Sequence, residues 1–264
     1  MAASVIKIKN VNKIFQGDGA DVIALKNINL DIQDGQFVCL LGPSGCGKST
    51  LLNAIAGFSL PTTGEIDVHD KIVTEPGPDR GMVFQEYALF PWMSVADNIT
   101  FGLRIKKENP EKIKAKLEEL LAMLKLTEFQ NRYPKDLSGG MRQRVAIARV
   151  LALDSEIMLM DEPFGALDAL TRRSLQDELL KVWSQYKKTI VFVTHSIEEA
   201  IYLADRIVVM SYRPGTIKKD VMVTMPRLRN PTSPEFNALK KELSELVMEE
   251  QMRFEKAHMG TTGD

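Results

Sequence analysis

The sequence predicts an α/β fold built on a parallel sheet, with a ligand held at the C-terminal edge of its strands. Three apolar runs carry that expectation: Phe37–Leu41, Ile157–Met160 and Thr189–Thr194. Each is too short for a helix, each is followed at once by residues suited to polar chemistry, and helix-patterned stretches lie between them.

The elements follow in chain order. Two β-rich stretches, Val5–Val11 and Ala24–Ile32, precede Phe37–Leu41, which is bounded by Gly35 and Gly42 and reads as a buried strand. Lys48–Ala56 has helical character and Gly57 supplies its stop. Pro76–Gly81 is dense in turn formers, and Met82–Phe84 after it reads as a short strand ending at Gln85. A loop with a partly apolar tip, Tyr87–Met93, comes next. Asn109 and Pro110 then supply a cap and a first-turn proline for a helix with Ile113, Leu117, Leu120, Leu121 and Leu124 on one face. The whole region from Glu86 to Tyr133 is helical in character. Ser138 opens a further helix running to about Leu153. Pro234–His258 reads as a tail helix with Phe236, Leu239, Leu243, Leu246 and Val247 on one side, and Gly260–Asp264 is expected to be disordered.

Composition limits what such a fold does. With 264 residues and 44% hydrophobic content, a substantial core is available. Lys and Arg total 34 against 35 Asp and Glu, which argues against a global footprint for nucleic acid or anionic lipid. No apolar run approaches the ~20 residues of a membrane helix, and Met1–Gly17 lacks the pattern of a signal peptide. A cytosolic chain is expected, with Cys39 and Cys46 as free thiols.

Gly42, Pro43, Ser44, Gly45, Cys46, Gly47, Lys48, Ser49 and Thr50 satisfy the G-x-x-x-x-G-K-[ST] pattern, with the required strand before and helix after. Glycines are needed because side chains would keep backbone N–H groups from closing around phosphate oxygens, and a helix N-terminus adds a favourable dipole. Lys48 supplies a point charge for the β- and γ-phosphates, Ser49 a hydroxyl for Mg²⁺, and Thr50 a hydrogen bond to the α-phosphate. Cys46 occupies a variable position of the loop.

Ile157–Met160 followed by Asp161 and Glu162 is an apolar strand ending in two acids. Adjacent side chains point differently, so Asp161 is assigned to the Mg²⁺ sphere and Glu162 to polarising the attacking water. Gln85 and His195 also follow strands. Gln85 is placed to contact Mg²⁺ or the water, and His195 the γ-phosphate.

Leu137-Ser138-Gly139-Gly140-Met141-Arg142-Gln143-Arg144 is a second glycine-containing helix start, an anion site of backbone N–H groups and a hydroxyl. It resembles the ABC signature. With Gln85, Asp161-Glu162, Ala166-Leu167-Asp168 and His195 in the expected order, the chain resembles an ABC transporter ATP-binding subunit from about Ile6 to Thr216. The resemblance implies a P-loop NTPase of ABC type, with a parallel-sheet core, an N-terminal antiparallel β subdomain and an inserted helical subdomain. Residues 1–228 would form the ATPase domain, the helical subdomain falling at about 86–155, and 229–264 the C-terminal helical tail.

In that family Ser138, Gly139 and Gly140 would close over ATP held by the Lys48 loop of another subunit, in a homodimer or with a paralogous ATPase. Asp168 would organise the facing subunit, and Phe15, where the family often has tyrosine, would stack on adenine. Met141 departs from the commoner glutamine, a mark of subfamily. Pro76–Gln85, Leu89-Phe90-Pro91-Trp92, Gly140–Arg144 and Arg213-Pro214-Gly215 are similar to the nitrate, sulfonate and taurine importer group. That group also handles cyanate, bicarbonate and thiamine precursors. The resemblance implies ATP and Mg²⁺ as cofactors, two transmembrane permease subunits and a solute-binding protein as partners, and a peripheral place on the cytoplasmic face of the membrane. DNA-repair and ribosome-associated ABC ATPases usually interrupt the core with coiled coils or zinc modules. None is visible in this sequence, and no nucleic acid is expected.

Overall fold

The computed structural model describes residues 4–17 and 20–259. In chain order the elements are β1 (Ser4–Phe15), β2 (Val22–Gln33), β3 (Phe37–Leu41), α1 (Lys48–Ala56), β4 (Thr63–Val68), β5 (Lys71–Ile72), β6 (Arg80–Val83), α2 (Val95–Ile105), α3 (Pro110–Met123), α4 (Gly139–Ala152), β7 (Ile157–Asp161), α5 (Ala169–Tyr186), β8 (Thr189–Thr194), α6 (Ile197–Leu203), β9 (Arg206–Met210), β10 (Ile217–Met222) and α7 (Pro234–Met259). The α/β class expected from the sequence is the class observed. Two compact units divide the chain: Met1–Pro76 with Thr189–Asp264, and Gly77–Lys188.

In the first unit β2, β1, β4 and β5 form an antiparallel sheet in that order. The β1–β2 hairpin is longer than the two β-rich stretches suggested, pairing from Ser4–Gln33 to Phe15–Val22 with register shifts on the way. The other sheet of this unit runs β10-β9-β3-β8, with β3 parallel to both β8 and β9. Every residue of β3 and β8 is buried, as expected of parallel strands covered on both faces. β9, which buries four of its five residues, is a strand that the sequence reading did not single out.

The expected tail helix forms as α7 and packs on α6 and β9. Phe236 and Leu243 are its buried anchors. Near its end Phe254 meets Tyr212 edge-on, with ring centroids 5.0 Å apart. Glu250 is fully buried, accepting from the Tyr212 N–H at 2.9 Å and from the Lys218 ammonium at 2.8 Å. Residues 260–264, read as disordered, lie outside the described residues.

In the second unit β6 and β7 pair in parallel, and α2, α3 and α4 pack on one another, with α4 also against β6 and α5. The region read as helical thus resolves into separate helices. α2 starts where Ser94 accepts the Asp97 N–H and gives its hydroxyl to the Asp97 carboxylate, a reciprocal cap. Arg144 of α4 makes a two-pronged pair with Glu178 of α5, at 2.9 and 3.0 Å. Strand β6 is Arg80–Val83 rather than Met82–Phe84, because the Phe84 carbonyl turns away to accept the Tyr87 N–H. Among the described residues no helix is long and apolar enough to cross a membrane.

Candidate functional site

The strand β3 delivers Gly42 into a loop that ends at the first turn of α1. At Gly47 the backbone has φ 101°, and a Cβ there would lie 2.8 Å from Leu25 Cδ2 and 2.9 Å from the Ala24 carbonyl oxygen. Any other residue would clash and be strained at once. Lys48 is only 4% exposed, and its ammonium donates to the carbonyl oxygens of Gly42 at 2.9 Å and Pro43 at 3.0 Å. Ser44 and Gly45 are exposed, Ser49 and Thr50 half-buried, and no side chain caps the start of α1. The loop therefore presents backbone at a helix N-terminus, with a cation inside its curve.

Cys46 does not face outward. Its thiol is fully buried beneath the loop, 4.0 Å from the Lys48 ammonium. Burial pushes the thiol's pKa up, against the opposing pull of Lys48. Cys46 can thus meet a phosphate only through its backbone.

Leu41 is in register with Thr194 on the neighbouring parallel strand. His195, the exposed residue after Thr194, therefore leaves the same edge of the sheet as the Gly42 loop. Phe15 ends β1 half-exposed, with the Lys13 ammonium 5.1 Å from its ring centroid. The turn Arg213-Pro214-Gly215 has a role the sequence did not reveal. Arg213 Nε donates to the Gly45 carbonyl oxygen at 3.0 Å, and a Cβ on Gly215 would come within 2.2 Å of the Cys46 carbonyl oxygen. This turn braces the loop from behind.

In the second unit, Val83 is in register with Met160, so Gln85 and the Asp161-Glu162 pair leave the same edge of the β6–β7 pair. Gln85 is exposed and lies in a turn two residues past its strand, whereas Asp161 and Glu162 are half-buried. Glu162 takes a left-handed backbone, φ 41°, and its carbonyl accepts the Gly165 N–H at 3.1 Å. A non-glycine residue in that conformation is uncommon and needs its surroundings to hold it.

Ser138 caps α4, its hydroxyl accepting the Met141 N–H at 3.3 Å. Packing leaves no room for a side chain at Gly140 and little at Gly139. A Cβ on Gly140 would sit 2.7 Å from Thr171 Cγ2, and one on Gly139 would sit 3.2 Å from both Leu167 Cδ2 and the Tyr87 hydroxyl. Asp168 caps α5, accepting the N–H groups of Leu170 at 3.1 Å and Thr171 at 3.0 Å. Hydrogen bonds from Thr171 hold its carboxyl below the usual carboxylate range. Within its own chain, Asp168 is a helix cap.

Phe90 lies between Phe101 at 4.6 Å and Trp92 at 5.7 Å, ring centroid to centroid. Trp92 is 70% exposed and does not cover the helical core. Among the described residues no group of three or more His, Cys, Asp or Glu could hold a metal ion by itself.

Comparison with known proteins gives the family. The family model described as ABC transporter matches residues 25–165. An uncharacterized ABC transporter ATP-binding protein of Methanocaldococcus jannaschii is 50% identical over 249 residues, covering 94% of this chain and 93% of its own. The nitrate import ATP-binding protein of Synechocystis is 45% identical over 92% of this chain and 94% of its own. The aliphatic sulfonates import ATP-binding protein of Bacillus cereus is 46% identical over 90% and 94% respectively. Among solved structures, a dimeric ATP-binding cassette in a post-hydrolysis state, bound to ADP and Pi, superposes with a TM-score of 0.74 at 35% identity. It covers 84% of this chain and 100% of its own. A glycine-rich loop closing on a buried lysine, a strand ending in paired acids and a Ser-Gly-Gly helix start thus occur in a chain that belongs to the ABC transporter family, of which it is an ATPase.

Proposed function

We propose that the chain couples ATP binding and hydrolysis to uptake of a small anion, of the nitrate, sulfonate and taurine kind, through two transmembrane permease subunits served by a solute-binding protein. The observation that carries this reading is the match, over nine-tenths of the chain, to relatives named for nitrate import and for aliphatic sulfonate import. The chain itself would sit peripherally on the cytoplasmic face of the membrane.

On this proposal Phe15 stacks on the adenine, and the backbone from Gly42 to Gly47 holds the phosphates. Lys48 exchanges the carbonyls of Gly42 and Pro43 for β- and γ-phosphate oxygens, and Thr50 bonds the α-phosphate. Ser49, Asp161 and Gln85 offer only oxygen ligands, a donor set that fits Mg²⁺ with the nucleotide supplying the rest. Bound there, Mg²⁺ would supply positive charge against that developing on the phosphates. Glu162 accepts the proton of the attacking water, and His195 steadies the γ-phosphate. Ser138, Gly139, Gly140 and Asp168 act on the nucleotide held by the second subunit of a dimer. Leu89-Phe90-Pro91-Trp92, with its exposed tryptophan, is the socket for a cytoplasmic segment of the permease.

Reconstituting the chain with its permease and binding protein in vesicles tests the reading. ATP on the cytoplasmic side should drive uptake of labelled nitrate, an alkanesulfonate or taurine. Uptake restricted to cyanate, bicarbonate or a thiamine precursor would keep the importer and move the solute. Hydrolysis with no uptake of any of these would refute the proposal.

A further inference from the structure

The loop between Gln85 and α2 is tied to the helix that Ser138 opens. Arg149, near the end of α4, donates Nη1 to the Ala88 carbonyl oxygen at 2.7 Å and Nη2 to the Tyr87 carbonyl oxygen at 3.2 Å, and its guanidinium lies 5.6 Å from the Phe90 ring centroid. Burial pushes the arginine's pKa down, and among the described residues no carboxylate pairs with it. A partly desolvated charge is thus committed to two main-chain carbonyls, an arrangement that only those two bonds and the aromatic face offset.

The carbonyls are aimed by an unusual backbone. Tyr87 and Ala88 are both left-handed, at φ 63° and 47°, which successive non-glycine residues rarely adopt. At the other end of α4, Arg142 stands over the Tyr87 ring, 5.4 Å from its centroid. Further along, Asn98 of α2 is fully buried, accepts the Phe90 N–H at 2.9 Å and donates to the carbonyls of Phe90, Met93 and Ser94 at 3.0–3.1 Å. The loop bearing Gln85 at one end and Trp92 at the other is therefore stapled to α4 on one side and to α2 on the other.

We infer that Arg149 is a positioning residue that makes the Gln85 loop and the Ser138 helix move as one piece, so that nucleotide sensed at Gln85 sets the placement of Ser138 toward the second subunit. This rests on the proposed roles of Gln85 and Ser138. It predicts a defect in ATP-driven dimer closure with nucleotide binding intact, because the phosphate loop is not part of the staple.

The test uses full-length Glu162→Gln protein, whose ATP-induced dimer is read by light scattering, with Arg149→Gln or Arg149→Lys added. The ATP concentration for half-dimerisation should rise about tenfold or more in Arg149→Gln, a fold-change equal to about 1.4 kcal/mol. Labelled-ATP affinity of the monomer should change less than about twofold. Arg149→Lys, which keeps the charge but lacks the planar, two-pronged guanidinium, should recover part of the loss. Hydrogen exchange should speed up at amides 86–90 and at the start of α4 alone. If Arg149→Gln does not fold, by circular dichroism, the Arg149→Lys protein decides by the same two measurements. Equal dimerisation of the double variants with Glu162→Gln overturns the inference, as does loss of ATP affinity in step with dimerisation. A parent Glu162→Gln protein that forms no ATP dimer overturns instead the roles on which the inference rests.

Discussion

The ammonium of Lys48 lies 2.9 Å from the carbonyl oxygen of Gly42, the residue that opens the loop Lys48 closes. On the proposed reading, this buried cation would exchange its own loop's carbonyls for phosphate oxygens, which are stronger acceptors. Lys48→Ala should therefore raise the Kd for ATP at least about tenfold, the effect of losing one charge-assisted bond worth about 1.5–3 kcal/mol. Titration with labelled ATP measures it. An unchanged Kd would remove Lys48 from the phosphate site.

Glu162→Gln retains the shape of the side chain and removes the carboxylate proposed to accept the water's proton. Hydrolysis should fall by about 10²- to 10⁴-fold while ATP binding persists, and the protein should elute as a dimer when ATP is present. Near-normal turnover would mean that another group handles the water.

Ser44 and Ser138 are both exposed, and the two native cysteines are fully buried. Cysteines introduced as Ser44→Cys and Ser138→Cys are thus the reactive thiols. A short bifunctional reagent should join them between two chains, and only with ATP. Crosslinks formed solely within one chain would reject the shared site.

Trp92→Ala should leave the isolated subunit folded and its hydrolysis within about twofold of normal, since a tryptophan 70% exposed buries little of its own core. Assembly with the permease and ATP-driven uptake should be lost. Pull-down and vesicle transport read this, and normal uptake would exclude Trp92 from coupling.

Glu250 should make the stability of the tail depend on pH. Burial works against its charge, yet Lys218, the Tyr212 N–H and Arg253 outweigh burial and hold its carboxyl below the usual 4.5. A depressed carboxylate stabilises the fold above its unfolded pKa and loses that contribution as pH falls through the folded value. Glu250→Gln should therefore cost about 2 kcal/mol at pH 7 and make thermal stability decline less steeply below pH 4.5. Parallel pH profiles for the two proteins would show that Glu250 is not the titrating group.

Much of the candidate site was legible in the residues because its chemistry is local. Gly42–Thr50, Ser138–Gly140 and Asp161-Glu162 are contiguous, and each proposed role needs particular residue types to expose backbone N–H groups or carboxylates, so spacing alone singles them out as candidates. The fold class was legible for a similar reason: a buried parallel strand is an unbroken apolar run, as in β3 and β8. Strand edges and short helices such as α2 and α6 were not, since a turn hydrogen bond or one capping serine fixes them.

The sequence by itself determined the glycine-rich loop before α1, the paired acids after β7 and the family, all written in neighbouring residues. Only the tertiary structure decided that Cys46 turns inward, that Arg213 braces Gly45, that Gly140 yields space to Thr171 and that Arg149 holds the carbonyls of Tyr87 and Ala88. Arg213 and Gly45 are 168 positions apart, and Arg149 and Ala88 are 61 apart. No local pattern encodes such pairs, because their energy comes from burial and main-chain bonding that exist only once distant segments have packed.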